Sequence, residues 1–195
     1  YTTLFRSQPL AFKQSINIVF CSNHYYLPYL GVVLNSLINH ASPKYNYDIL
    51  ILYNQKKHHY RIPLKHFCRC NISVRQVDYN LKNLVPKAKF FTHRYYVPEV
   101  YARFFIPQIL TAYRKVLYLD IDMLILDDVA KLYHFDLGDK SLAASRDFVS
   151  LVDVGFFTKL FTFYLHHDLG LKHRRDYFYS GVMLMDLTKL RQHYP

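Results

Sequence analysis

The chain has 195 residues, 51% of them hydrophobic, and a formal net charge of +11. That apolar content excludes disorder, and one domain of this size can bury roughly 70% of its unfolded surface. No apolar run approaches the ~20 residues of a membrane-spanning helix, no signal peptide is visible, and three cysteines without a Cys-x-x-Cys pair read as free thiols of a reducing compartment.

Residues 1–15 read as an N-terminal extension. Tyr1-Thr2-Thr3-Leu4-Phe5-Arg6-Ser7 matches what a common sequencing adapter encodes in frame, so 1–7 are set aside as an artefact. Residues 16–20 form a short apolar strand that ends in a polar loop over 21–26. Pro28 suits a first helical turn. Apolar residues then recur at Leu30, Val33, Leu34, Leu37 and Ile38, with Asn35, Ser36 and Asn39 on the other face. Residues 47–53 are a buried-type strand. Residues 56–67 are helical in part, with Pro63 as an interruption. Residues 72–77 alternate as a strand, and 82–93 read as loop. Helical spacing returns over 97–110 through Val100, Phe104 and Ile109, with Pro98 near its start and Pro107 disturbing it.

An apolar strand from Lys115 then runs into Asp120 and Asp122, and the apolar run resumes to Leu126. On a strand, residues i and i+2 face the same side, so the two carboxylates can aim at one point. Such a pair suits a hard divalent cation, which can neutralise a diphosphate. An Asp-x-Asp can also simply cap a turn. Asp127 and Asp128 read as caps of a short helix over 129–133. A strand over 141–145, a helix over 155–167, a strand over 181–186 and a helix from Leu187 complete the chain. Alternating strands and helices imply an α/β fold, a mostly parallel sheet with helices on both faces. Ligands of such sheets bind beyond the carboxyl ends of the strands.

The positive charge suits an anionic partner: a nucleotide diphosphate, a phospholipid surface or nucleic acid. Part of it is concentrated in Lys172-His173-Arg174-Arg175 and Lys56-Lys57-His58-His59, and a solvated basic surface is the plainer alternative. No basic helix, zinc spacing or RNP-like block is present, so no nucleic-acid partner is expected. No Gly-rich phosphate loop or Walker-type lysine supports a nucleotidyltransferase.

Three blocks carry a family likeness. They are Ile18-Val19-Phe20-Cys21-Ser22-Asn23, then Tyr101-Ala102-Arg103-Phe104 with 115–122, and Tyr177-Phe178-Tyr179-Ser180-Gly181-Val182-Met183-Leu184. Asp136-Leu137-Gly138-Asp139 and Ala143-Ala144-Ser145-Arg146-Asp147 sit between the last two. In this order they resemble the retaining glycosyltransferases of family 8, the bacterial lipopolysaccharide galactosyl- and glucosyltransferase type that includes glycogenin. The likeness covers about 16–193. It implies a GT-A, Rossmann-like fold, with 16–195 as the N-terminal part of the family domain. It also implies a UDP-sugar donor and Mn2+ (or Mg2+) held by Asp120 and Asp122. Glucose or galactose would pass with retention to a saccharide or glycolipid acceptor, in lipopolysaccharide or other surface-glycan synthesis. The expected location is cytoplasmic, in peripheral contact with the anionic inner face of a membrane.

Residue by residue, the resemblance places Phe20, Cys21, Ser22, Asn23 and Tyr25 around the uridine, and Arg103, Asp120, Ile121, Asp122, Ser180 and Gly181 at the donor. Arg103 and Asp147 take the catalytic positions. On the residues alone, Arg103 could equally make a helix-surface salt bridge, and Asp147 could be a strand-end turn residue. Asn23 stands where the family has Asp, Tyr25 where it often has Asn, and Tyr179 where it has Asn. The family's third metal ligand, a histidine in an H-x-x-G-x-x-K-P-W block, and its D-Q-D block do not occur here. The resemblance therefore implies a C-terminally truncated domain with at most weak activity alone. A binding-only relative and a basic nucleic-acid binder are the alternative readings.

Overall fold

A computed structural model describes residues 15–54, 61–84, 98–148, 152 and 155–193. Of the expected extension only Ser15 is described, and it opens the first strand. The adapter-like heptapeptide, residues 56–60, most of the expected loop (85–93) and Val97 lie outside the described residues.

Six strands form one sheet in the order β3-β2-β1-β4-β6-β5. The strands β1 (Ser15–Ser22), β2 (Asn46–Asn54), β3 (Ile72–Tyr79) and β4 (Lys115–Leu119) pair in parallel. The last strand, β6 (Phe178–Asp186), runs antiparallel between β4 and β5 (Leu142–Arg146). Strands covered on both faces need apolar residues in both alternating sets. Ile18, Phe20, Ile49, Ile51, Leu117 and Leu119 accordingly fill one core layer, and Val19, Leu50, Leu52, Val116 and Tyr118 fill the other. The first layer is covered by α1 (Leu27–His40) and α4 (Ala130–Tyr133). The second is covered by α2 (Leu81–Leu84), a 3₁₀ segment Pro98–Phe105, α3 (Ile106–Ile109) and α6 (Leu187–His193). The remaining helix, α5 (Phe156–His167), starts at Gly155, whose φ of 67° suits a residue without a Cβ. Helices thus lie on both faces, as the alternation of elements predicts.

Several local expectations change. Residues 98–109 are a 3₁₀ segment followed by one α-helical turn, and Pro107 sits at the start of that turn. There its missing N–H costs nothing. Of the described residues 61–67 before Cys68, Leu64–Phe67 form a 3₁₀ turn and the rest are not helical. Ser36 faces inward: its hydroxyl donates to the Val33 carbonyl at 2.9 Å and accepts from the Ile125 N–H at 3.0 Å. That contact ties the segment after the aspartate pair to α1. Asp128 behaves as expected, accepting the Ala130 N–H at 2.9 Å at the start of α4.

One charge lies wholly inside the sheet. Asp48 on β2 is 0% exposed. Arg75, one strand over, grips it with Nε to Oδ1 at 3.1 Å and Nη2 to Oδ2 at 2.9 Å, and the Tyr113 hydroxyl donates to Oδ2 at 2.6 Å. Burying a carboxylate is tolerable only with such compensation. Arg75→Ala should therefore lower stability by about 3 kcal/mol, because it strands a buried charge. In urea denaturation the midpoint should fall while the slope holds.

Candidate active site

Strands β1, β2 and β3 spread to one side of the sheet, and β4 is laid on the other side of β1. The crevice beyond the carboxyl ends of β1 and β4 is therefore a topological switch point. A small cleft of about 160 Å³ opens there. Cys21, Ser22, Asn23 and Tyr26 form its β1 side, and Val100 and Arg103 reach in from the 3₁₀ segment. Tyr118, Asp120, Ile121 and Asp122 line its β4 side.

The strand β4 stops at Leu119, so the two aspartates lie on a turn and not on a strand. The same-side argument for strand residues is not what brings them together. Buried Ile121 anchors the turn, and the Asp120 N–H donates to the Gly181 carbonyl at 2.8 Å. Asp120 is half-buried and Asp122 is exposed. Burial pushes the Asp120 carboxyl above its ordinary range and the Asp122 charge adds to this, while Arg103 and the Tyr118 hydroxyl oppose it.

Arg103 is buried, not on a helix surface. Its Nη2 lies 3.0 Å from Asp120 Oδ1. Its Nη1 donates to the Ser180 carbonyl at 2.9 Å and to Ser180 Oγ at 2.8 Å, and Nε donates to the Val100 carbonyl at 3.0 Å. The guanidinium also lies 5.1 Å from the centre of the Tyr118 ring, a cation–π contact. The Tyr118 hydroxyl donates to the same Asp120 Oδ1 at 2.6 Å. Among the described residues both contacts to Asp120 fall on Oδ1, so Oδ2 is the oxygen available to a ligand. Tyr118 was not singled out in the sequence. Its position two residues before Asp120 was the only signal.

The other expected site residues divide. Ser180 and Gly181 stand beside Asp120 at the start of β6. Asp147 follows β5 at the same sheet edge and acts electrostatically on Tyr179, as do Asp120 and Asp122. Asn23 is buried at the cleft, but its Oδ1 accepts from the N–H groups of Tyr25 and Tyr26 at 2.9 and 3.3 Å, capping the 3₁₀ turn His24–Tyr26. The structure does not bring Phe20 or Tyr25 to the cleft by their side chains. Phe20 is fully buried in the first core layer, and Tyr25 is 78% exposed while Tyr26 lines the wall.

Two carboxylates at one end of a cleft are a hard-oxygen donor set. Among the described residues no group of three or more His, Cys, Asp or Glu side chains could enclose a metal. The pair fits a divalent ion that completes its shell with phosphate and water oxygens.

The sequence pattern described as Glycosyl transferase family 8 matches residues 17–194. The chain belongs to this family. A putative glycosyltransferase of Haemophilus influenzae is 28% identical over 182 residues, 92% of this chain and 51% of that protein. The crystal structure of the galactosyltransferase LgtC with donor and acceptor sugar analogues superposes with a TM-score of 0.67 at 27% identity, covering 91% of this chain and 60% of that one. The apo structure of the bifunctional glycosyltransferase WbbM gives a TM-score of 0.78 at 24% identity over 95% of this chain and 34% of that one, a likeness of fold. The family 8 chain thus has the GT-A fold and spans about half the length of its Haemophilus relative. Glycosyltransferases of this fold generally use a nucleotide-sugar donor with a divalent metal, and act on saccharide acceptors.

Burial pushes the Cys21 thiol, at the cleft wall, up to about 12 against the pull of Arg103. At pH 8 only about one such thiol in ten thousand is ionised, and the thiolate is the nucleophile. Cys68 and Cys70 are exposed. Iodoacetamide at pH 8 should therefore add to Cys68 and Cys70 in the folded protein and reach Cys21 only in denaturant, as read by peptide mass spectrometry.

Proposed function

We propose that this family 8 glycosyltransferase moves a hexose, glucose or galactose, from a UDP-sugar to a saccharide or glycolipid acceptor with retention at the anomeric carbon. The proposed setting is lipopolysaccharide or other surface-glycan synthesis. The reading rests on one observation: a half-buried carboxylate, Asp120, clamped by Arg103 and Tyr118 beside the exposed Asp122 at the switch point of the sheet. A structural ion pair would not need the second carboxylate, whose presence opposes ionisation of the first. A site for an anion carried with its cation would need both.

Asp120 and Asp122 are the residues that would hold Mn2+ (or Mg2+). Such an ion supplies Lewis-acid stabilisation of charge on a leaving diphosphate. The chain's own residues prepare the place. Arg103 and Tyr118 fix the Asp120 carboxylate before any ligand arrives, so little reorganisation is left for the reaction itself. Cys21, Ser22 and Asn23 form the wall against which the nucleoside would lie. Ser180 is small, and the space over Gly181 is filled by the Tyr179 ring, so a ligand would meet that ring there. Asp147 would face the sugar end. The proposed place of action is the cytoplasmic face of a membrane. The net charge of +11 favours anionic lipid there, and among the described residues no helix is long and apolar enough to cross the membrane.

The deciding assay is release of UDP from UDP-glucose and UDP-galactose with and without Mn2+. Release should require the metal and should fall at least about 100-fold in Asp122→Asn. Because Asp122 is exposed, its thermal unfolding should barely move. Metal-independent release, or full activity in Asp122→Asn, would sink the reading. UDP binding without turnover would instead mark a binding-only relative. Arg103→Lys should cost at least about tenfold in rate, since an ammonium cannot span Asp120, Ser180 and Val100 together. Wild-type rates in that variant would show that the guanidinium fork is not needed.

A further inference from the structure

The pairing of β5 with β6 breaks at the sheet edge that holds the site. Ala144 faces Met183, but the next residue, Ser145, faces Tyr179, so the pairing jumps over residues 180–182. Such irregularities bend a strand and re-aim its side chains, and they concentrate beside active sites. Here the re-aimed side chain is Tyr179. On a regular strand the side chains of residues i and i+2 stand apart along one face. In this strand the Tyr179 ring folds back over Gly181. A Cβ added at Gly181 would lie 2.4 Å from Tyr179 Cε1 and Cζ and 2.5 Å from its hydroxyl oxygen. Gly181 is the residue whose carbonyl takes the Asp120 N–H, and its neighbour Ser180 takes Arg103. The phenol therefore overhangs the strand that braces Asp120, with 40% of the residue still open to solvent. Burial pushes its hydroxyl up, and Asp120, Asp122 and Asp147 push it further against the pull of Arg103. Three carboxylates thus act on this one hydroxyl.

The sheet order gives the ring its place along a donor. The cleft wall from β1 carries Cys21, Ser22 and Asn23, the aspartate turn follows β4, and Tyr179 stands on β6 with Asp147 after β5. Strands are ~4.8 Å apart, so β1 to β6 spans about 10 Å. A donor laid across these strands would put its nucleoside at β1, its diphosphate over the carboxylates after β4, and its sugar toward β6. A large partly exposed ring at the sugar end fills space there and presents a rigid face.

Resting on the nucleotide-sugar reading above, we infer that Tyr179, seated on Gly181, is the specificity-determining residue of the sugar subsite: it admits an unsubstituted hexose and excludes a donor bearing a bulky 2-acetamido group. Gly181 is part of the device, because any side chain there must displace the ring. The contacting atoms are the far end of a flexible side chain, so Gly181→Ala would move the ring and leave the strand in place. That gives two independent ways of removing one obstruction.

The test is calorimetric binding in the presence of Mn2+, which needs no turnover. The ligands are UDP, UDP-glucose, UDP-galactose and the two matching UDP-N-acetylhexosamines. In the wild-type protein the better-bound hexose donor should outbind its acetamido counterpart by about tenfold or more, the scale on which a pocket wall discriminates size. Tyr179→Ala should narrow that ratio to about threefold or less while the affinity for UDP itself holds, and Gly181→Ala, which displaces the ring, should narrow it too. Tyr179→Phe, which keeps the ring, should keep the ratio. The inference is overturned if the wild-type protein does not discriminate, or if the ratio survives in Tyr179→Ala with UDP binding intact. Failure of the wild-type protein to bind UDP at all would overturn the nucleotide-sugar reading and this inference with it.

Discussion

A carboxylate drawn half out of water at the end of β4 is the constraint around which this molecule is arranged. Asp120 is costly there unless it is paired and hydrogen-bonded. Arg103 and the Tyr118 hydroxyl meet that requirement at the carboxylate, and the Gly181 carbonyl holds the backbone by accepting the Asp120 N–H. Arg103 comes from a 3₁₀ segment against one face of the sheet, Tyr118 from β4 itself, and Gly181 from the neighbouring antiparallel strand. The guanidinium in turn closes on Val100 and Ser180, so the segment, the turn and the start of β6 are held as one unit. Had Arg103 been a surface ion pair, it would contribute little. Buried, it fixes the geometry of everything that borders the cleft.

Among the described residues, two buried ion pairs divide the labour within the sheet. Asp48 and Arg75 lie within β2 and β3, away from the cleft, and their compensation is closed: fork to carboxylate, with a tyrosine hydroxyl added. Asp120 is compensated on one oxygen only, and its neighbour Asp122 is left at the surface. A satisfied buried pair holds structure, whereas a pair with an oxygen to spare at a cleft is poised for a ligand. The β1 side of the same cleft is built for rigidity. The Asn23 side chain caps the turn that shapes the wall, an arrangement in which an amide serves as well as the aspartate common in the family.

Much of this was readable in the sequence, for identifiable reasons. The strands 47–53 and 115–119 announce themselves because strands covered on both faces must be apolar throughout. The buried face of α1 follows from its spacing at Leu30, Val33, Leu34 and Leu37. Ser36 was misread because periodicity assigns polar residues to water, whereas a short hydroxyl with two partners is at ease inside. The place of the aspartate pair, beyond the carboxyl end of a strand, was legible but its geometry was not, since nothing in Asp-x-Asp tells a strand end from the turn after it. Phe20 illustrates the reverse. Strand alternation with Ile16 and Ile18 points its side chain into the core, so the side chain does not reach the cleft. The setting of Tyr179 could not be read at all, because it depends on a break in pairing between β5 and β6, a non-local property.

The late position of β6 in the chain has a consequence for how the molecule is made. Strands β1 to β4 and the segment bearing Arg103 are complete by Leu119, yet the carbonyl partners of Asp120 and Arg103 come from Ser180 and Gly181, some sixty residues later. During synthesis the parallel half of the sheet emerges first, with β4 as an open edge and the Arg103 guanidinium still without its Ser180 partners beside it. An unpaired edge invites wrong partners, and contacts this distant in sequence are slow to close. The docking of β6 covers the edge and completes the clamp in one event. Cover for the open edge and the brace on Arg103 are therefore acquired together, when β6 docks.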